Sequence, residues 1–186
     1  PTRCLIPNSW ICSDVMEPLF LVGYMGCGKS TLGRKLAHWL GVSFADTDTL
    51  VEQREGASVA DVYELAGAEY FRQAERAVLD ELIASGACTV ISTGGGLPAW
   101  GDNMARMNAV GTTVYLRRPA EQIIRRMSPY GRQKRPRLRG LSDTELVEFM
   151  RRDMAEREPF YAQARLIVDC IGKSDAELIE WIIQNR

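Results

Sequence analysis

The sequence predicts an α/β fold, a doubly wound, all-parallel sheet of five strands with helices on both faces, and three observations carry that prediction. Short apolar runs alternate with stretches of helical periodicity along the chain, the order that produces strand-helix-strand units. The first run, Leu19-Phe20-Leu21-Val22, leads directly into Gly23-Tyr24-Met25-Gly26-Cys27-Gly28-Lys29-Ser30, a G-x-x-x-x-G-K-S segment of the kind that turns a strand into a helix around a phosphate group. The 186 residues, 46% of them hydrophobic, suffice for one buried sheet with small insertions.

Taken in order, residues 19–22 form the first strand and 29–40 the helix behind the loop, where Leu32, Leu36, Trp39 and Leu40 make an apolar stripe. Residues 42–45 are a second strand that ends at Asp46-Thr47-Asp48. A helical stretch covers 50–54, Gly56 breaks it, Ser58 caps the next, and 68–84 is a longer helix. Cys88-Thr89-Val90-Ile91-Ser92 is a buried-type strand that stops at Gly94-Gly95-Gly96. Residues 112–116 are the fourth strand, Pro119 opens a helix reaching 126, and a further helix runs over 143–157. Residues 166–168 are the last strand before Ser174 caps a terminal helix. Met16 reads as a natural start, so 1–15 are expected to be a leader outside the fold and 16–186 a single domain. Within it, 46–84 is the expected substrate-binding region and 127–141 the expected lid.

Composition narrows the class. A formal net charge of −1 argues against a chain that binds nucleic acid over its whole surface, so basic function has to come from local clusters. The five cysteines are odd in number and scattered, and His38 is the only histidine; they read as reduced cytoplasmic thiols, with neither a metal site nor a disulfide frame. No apolar run approaches the ~20 residues of a membrane span.

The phosphate loop supplies the first functional expectation. Its glycines let backbone N–H groups aim inward, and the following helix adds its positive dipole end. Lys29 is expected on the β/γ-phosphates of a nucleoside triphosphate and Ser30 on Mg²⁺, with Gly26, Cys27, Gly28 and Thr31 completing the contacts. Cys27, beside Lys29 at a helix N-terminus, has two readings: a thiolate-prone nucleophile, or a small residue with its sulfur turned inward.

Ligands of such sheets gather at the carboxyl ends of the strands. The third strand ends in Ser92-Thr93-Gly94 with no acid, so the acidic group that phosphoryl transfer needs near Mg²⁺ must come from elsewhere. Asp46 is the candidate for the metal and Asp48 for the substrate, against a plain N-capping role for Asp46. Gly94, Gly95 and Gly96 form a loop expected to face substrate. By position alone, Arg72 is a solvated arginine paired with Glu75 or Glu69, and Arg157 an exposed partner of a neighbouring glutamate. Residues 122–142 carry Arg125, Arg126, Arg132, Lys134, Arg135, Arg137 and Arg139 and no acid. This stretch suits a lid over polyphosphate better than an RNA-binding patch, having Tyr130 as its only stacking aromatic.

Together these motifs resemble those of one family, the shikimate kinases: Gly23 to Thr31, Asp46-Thr47-Asp48, Gly67 with Phe71-Arg72, Gly94-Gly95-Gly96, Arg135-Pro136, and Arg157-Glu158-Pro159-Phe160-Tyr161, spread over 18–186. The resemblance implies a P-loop kinase fold using ATP and Mg²⁺, and phosphorylation of the 3-hydroxyl of shikimate in aromatic amino-acid biosynthesis. It implies that Asp48 holds the shikimate hydroxyls, that Arg72 and Arg157 hold its carboxylate beside the glycine run, and that Asp46 helps position Mg²⁺. It also implies that Arg135 reaches the phosphates from the lid and that Arg126, or its neighbour Arg125, flanks the adenine. Lys29, Asp48 and Arg135 are then the catalytic set, in a cytoplasmic monomer with no nucleic-acid or membrane partner. A related small-metabolite kinase, such as one acting on gluconate, and a non-catalytic nucleotide-dependent switch are the alternatives. Neither is expected to carry the Asp-x-Asp, triple-glycine and arginine set together.

Overall fold

The structure is a computed structural model that describes residues 17–87, 89–128, 132, 138 and 140–186. The expected leader and most of the expected lid, Arg135 included, lie outside the described residues, as does Cys88. Five strands, β1 (Leu19–Val22), β2 (Ser43–Asp46), β3 (Thr89–Ser92), β4 (Thr112–Arg117) and β5 (Leu166–Asp169), form one sheet in the order β2-β3-β1-β4-β5. Every pairing is parallel, with Leu19 opposite both Val90 and Thr112. The central strand β1 is buried along its length, as is β3, which explains why β1 reads as an unbroken apolar run instead of an alternating one.

Among the described residues, seven α-helices connect and cover the sheet: α1 (Lys29–Leu40), α2 (Thr47–Glu55), α3 (Val59–Ala84), α4 (Asn103–Val110), α5 (Ala120–Arg126), α6 (Asp143–Tyr161) and α7 (Asp175–Asn185). Helix α1 lies on β1, β2 and β3 and meets α7, while α4 packs on β4 and against α3. The approach of α1 is close because its second turn carries Gly33, where a Cβ would stand 2.6 Å from the Phe44 ring. The core runs through the sheet from Phe20, Leu21 and Val22 to Leu36, Met107, Ile123 and Leu146, all fully buried, each contributing roughly 1.5–3 kcal/mol. A smaller cluster of Val51, Val62, Phe71, Ala74 and Val78 holds α2 against α3. No helix among the described residues is long and apolar enough to cross a membrane.

Three elements differ from expectation. Helix α3 begins at Val59 and runs past Gly67, whose φ of 88° and ψ of 167° put a kink where a break was expected. Helix α4 was not expected; Asp102 gives it no side-chain cap, so it lacks the start signal that Ser58, Ser142 and Ser174 give α3, α6 and α7. Helix α6 continues through Pro159 to Tyr161. Proline costs a helix a hydrogen bond and a clash, but here the last turn is anchored from outside, Tyr115 Oη donating to Glu158 Oε2 at 2.6 Å and Tyr161 Oη to Gly95 O.

Candidate active site

The carboxyl ends of the strands surround a cavity of about 330 Å³. Its floor is the phosphate loop, where Gly26 and Gly28 take φ of 77° and 109°, conformations that L side chains rarely adopt. Met25, Gly26, Gly28, Lys29, Ser30 and Thr31 line it, together with Asp46, Asp48, Ser92, Thr93, Gly95 and Arg126. The Lys29 ammonium is buried and donates to Gly23 O at 2.8 Å and Tyr24 O at 3.0 Å. Helix α5 abuts the loop, since a Cβ on Gly26 would come within 2.9 Å of Ile123 Cγ2. One turn on from Ile123, Arg126 stands 4.0 Å from the corresponding point at Gly28 and lines the cavity; Arg125 does not.

Cys27 is 1% exposed, with Sγ 3.9 Å from Lys29 Nζ. The sulfur is therefore turned inward, and Cys27, alone among residues 25–31, does not line the cavity. Its carbonyl accepts from buried Arg118 Nε at 3.1 Å. The sequence reading passed over Arg118, although it stands just past the carboxyl end of β4, where such sheets place functional groups.

Asp46 caps a helix and also faces the phosphate-loop serine. Its Oδ1 caps α2 by accepting from Asp48 N at 3.1 Å, and its Oδ2 accepts from Ser30 Oγ at 2.6 Å. Ser92 Oγ lies 3.2 Å from the same serine hydroxyl. These donors are all oxygen, few in number and set beside the phosphate loop, a set that fits Mg²⁺, which keeps most of its shell for water and phosphate. Asp48, the next polar side chain along, is pushed up to about 6 by burial first and by Asp46 second, against the pull of Lys29 and Arg72.

The glycine run is built for close approach. Thr47 Oγ1, fully buried, accepts from Gly94 N at 2.8 Å, tying the run to the Asp46–Asp48 turn. A Cβ at Gly94 would overlap Asp48 Oδ1 and Glu75 Oε1, one at Gly96 would overlap the Arg72 guanidinium, and one at Gly95 would stand 3.2 Å from Met25 N. Three different parts of the site thus press against three successive glycines.

Arg72 is not a solvated arginine. It pairs with Glu75, which is fully buried, while Glu69 accepts from Gln73 instead. Burial pushes the Glu75 carboxyl up to about 7, opposed by the charges of Arg72 and, more weakly, Arg157. Its Oε1 makes no hydrogen bond, so an uncompensated acceptor lies beside Asp48 and Gly94. Arg157 is likewise not an exposed partner of a glutamate. It sits inside α6 with its side chain 15% exposed and donates from Nη2 to Asp153 Oδ1 at 3.0 Å. Asp153 Oδ2 accepts from Tyr24 Oη at 2.6 Å, and the guanidinium lies over the Tyr24 ring, 5.5 Å from its centroid. The structure therefore gathers Lys29, Ser30, Asp46, Asp48, Gly95 and Arg126 around one cavity, with Arg72 against Gly96 and Arg157 over Tyr24 of the phosphate loop. Glu75 as a buried counter-charge, Tyr24 and Asp153 were missed as site residues, because nothing in their spacing announces burial.

The comparisons agree with this architecture. A sequence model described as shikimate kinase matches residues 25–185. The chain is 43% identical over 154 residues to a shikimate kinase of Parabacteroides distasonis, covering 83% of this chain and 88% of that one. The crystal structure of a shikimate kinase from Bacteroides thetaiotaomicron superposes with a TM-score of 0.83 at 37% identity, over 91% of this chain and 97% of that one. A shikimate kinase from Acinetobacter baumannii in complex with shikimate gives a TM-score of 0.82 at 31% identity, over 91% and 92% of the two chains. With a match over most of its length in sequence and in fold, the chain belongs to the shikimate kinase family.

Proposed function

We propose that this kinase transfers the γ-phosphoryl group of ATP to the 3-hydroxyl of shikimate, giving shikimate 3-phosphate and ADP in aromatic amino-acid biosynthesis. Beside the family membership, the observation that carries the reading is that Asp48 lines the phosphate-loop cavity while Arg72 presses on Gly96 of the glycine run that borders it. A phosphate site and groups suited to a polyhydroxylated carboxylate thus share one wall.

In this reading Gly26 to Thr31 cradle the triphosphate, Lys29 neutralises its β/γ-phosphates, and Arg126 flanks the adenine. Ser30 and Asp46 hold Mg²⁺, whose charge serves the same neutralisation when bound. Asp48 accepts the hydrogen bond of the nucleophilic hydroxyl, fixing its oxygen toward the γ-phosphorus. Arg72 and Arg157 grip the planar carboxylate, which a forked guanidinium matches better than an ammonium does. Arg135, outside the described residues, is assigned to the phosphates on the family resemblance. Catalysis is then mostly positioning and charge neutralisation. The same proposal places the kinase in the cytoplasm as a monomer with no nucleic-acid or membrane partner; the cysteine usage supports the compartment and the charge of −1 supports the lack of a nucleic-acid partner.

A coupled ADP-release assay across shikimate, quinate, gluconate and nucleoside monophosphates tests the substrate. Shikimate should exceed every other acceptor in kcat/KM by at least about a hundredfold, since a site built to hydrogen-bond a group rejects analogues that leave its partners unpaired. Faster turnover of gluconate would overturn the assignment.

A further inference from the structure

The cluster beneath Arg157 touches neither phosphate nor acceptor in the reading above, yet it is fully built. Asp153 lies one helical turn before Arg157 on α6, is 6% exposed, and engages both of its carboxylate oxygens, one with Arg157 and one with Tyr24. Tyr24 is 1% exposed and belongs to the phosphate loop, where its own carbonyl accepts from Lys29. The guanidinium is thus held edge-on by Asp153 and face-on by the Tyr24 ring. An unsupported arginine samples many rotamers and loses that entropy on being fixed; here that freedom is removed before an acceptor arrives.

We propose that Asp153 is a positioning residue for the acceptor clamp, fixing the Arg157 fork, and that Tyr24 anchors Asp153 from the phosphate loop so that the clamp stands in register with the nucleotide. The inference rests on the proposed contact between Arg157 and the acceptor's carboxylate. Burial, and next the hydrogen bond to Asp153, hold the Tyr24 phenol well above its ordinary range, which keeps it a donor at every working pH.

A sign difference separates positioning from mere charge neutralisation. If Asp153 only offset the charge of Arg157, removing its negative charge would strengthen binding of an anionic acceptor; if it orients the fork, removal weakens binding. Asp153→Asn keeps the shape and one acceptor oxygen. Positioning predicts a KM for shikimate raised about tenfold, with the KM for ATP within about twofold and kcat within about threefold, the split expected when binding shared by ground state and transition state is lost. A lower or unchanged KM for shikimate, beside a raised one in Arg157→Lys, overturns the proposal alone. An unchanged KM in Arg157→Lys overturns the clamp reading, and this proposal with it. In the double variant Asp153→Asn/Arg157→Lys the losses should not add, because one residue acts through the other; full additivity counts against it. If Asp153→Asn does not fold, Tyr24→Phe keeps the ring under the guanidinium and removes only the phenol donor. It should raise the KM for shikimate about threefold, and no change there overturns the proposal.

Discussion

Asp48 is a carboxyl whose surroundings favour the protonated form, and Lys29 and Arg72 offset that only in part, leaving it near 6. Since kcat/KM reports the ionisation of the free enzyme, a group that must accept the hydroxyl's hydrogen bond loses function as it gains a proton. We therefore expect kcat/KM for shikimate to fall about tenfold per pH unit below about 6, while ATP binding changes little over that range. Asp48→Asn should lose at least about a hundredfold in kcat/KM and show no such acid limb. A limb of the same midpoint in Asp48→Asn would assign it to another group. Cys27 makes the contrasting case: its position at a helix N-terminus beside a lysine suggests a nucleophile, but a sulfur 1% exposed against Gly23 and Lys29 is screened from bulky reagents, so geometry settles what sequence position left open.

The glycine run shows how one element divides its work residue by residue. At Gly96 an added methyl meets the far end of a flexible side chain, the Arg72 guanidinium, which can swing away from Glu75. At Gly95 it meets the backbone of Met25 in the phosphate loop, which cannot move without moving the nucleotide site. Gly96→Ala is therefore expected to fold and to raise the KM for shikimate at least about tenfold with little effect on ATP, whereas Gly95→Ala should act chiefly on ATP. Steady-state kinetics with each substrate varied in turn checks the split, and equal effects on both substrates in both variants would show that the run moves as one body. The elements themselves were largely legible. All five strands and the caps at Ser58, Ser142 and Ser174 follow local chemistry that the sequence displays, although Ser142 was not named. What was not legible depends on distant contacts: α4 has no capping side chain, the end of α6 survives Pro159 through Tyr115 and Gly95, and the partner of Arg72 is decided by the burial of Glu75.

Over the whole molecule, the site is where stability is given up. Folded Asp48 rises from 3.8 to about 6 and Glu75 from 4.5 to about 7, both mainly through burial. An acid raised in this way binds its proton more tightly when folded than when unfolded, so the stability associated with it is fully present below the unfolded value and is lost as pH climbs through the folded one. For these two groups the loss runs between about pH 4 and pH 7 and amounts to at most about 3 kcal/mol for each, taking about 1.36 kcal/mol per unit. The acids shifted the other way are lowered by hydrogen bonds, Asp102 from Arg76, Asp169 from Arg117, Glu145 and Glu177 from their capping serines, and Glu121 first from its own backbone and then from Arg151; their stabilisation is present above their unfolded values and is lost only as pH falls through the lowered ones. From pH 5.5 to 8 the two buried carboxyls therefore set the slope. The ligand-free kinase should melt several degrees higher at pH 5.5 than at pH 8, at about 2–4 °C per kcal/mol for a domain of this size. The double variant Asp48→Asn/Glu75→Gln, which cannot ionise at either position, should flatten that slope and lose activity together. Calorimetry at the two pH values decides the matter: a parent and a double variant with the same slope would mean that these carboxyls sit in the site at no cost to the fold.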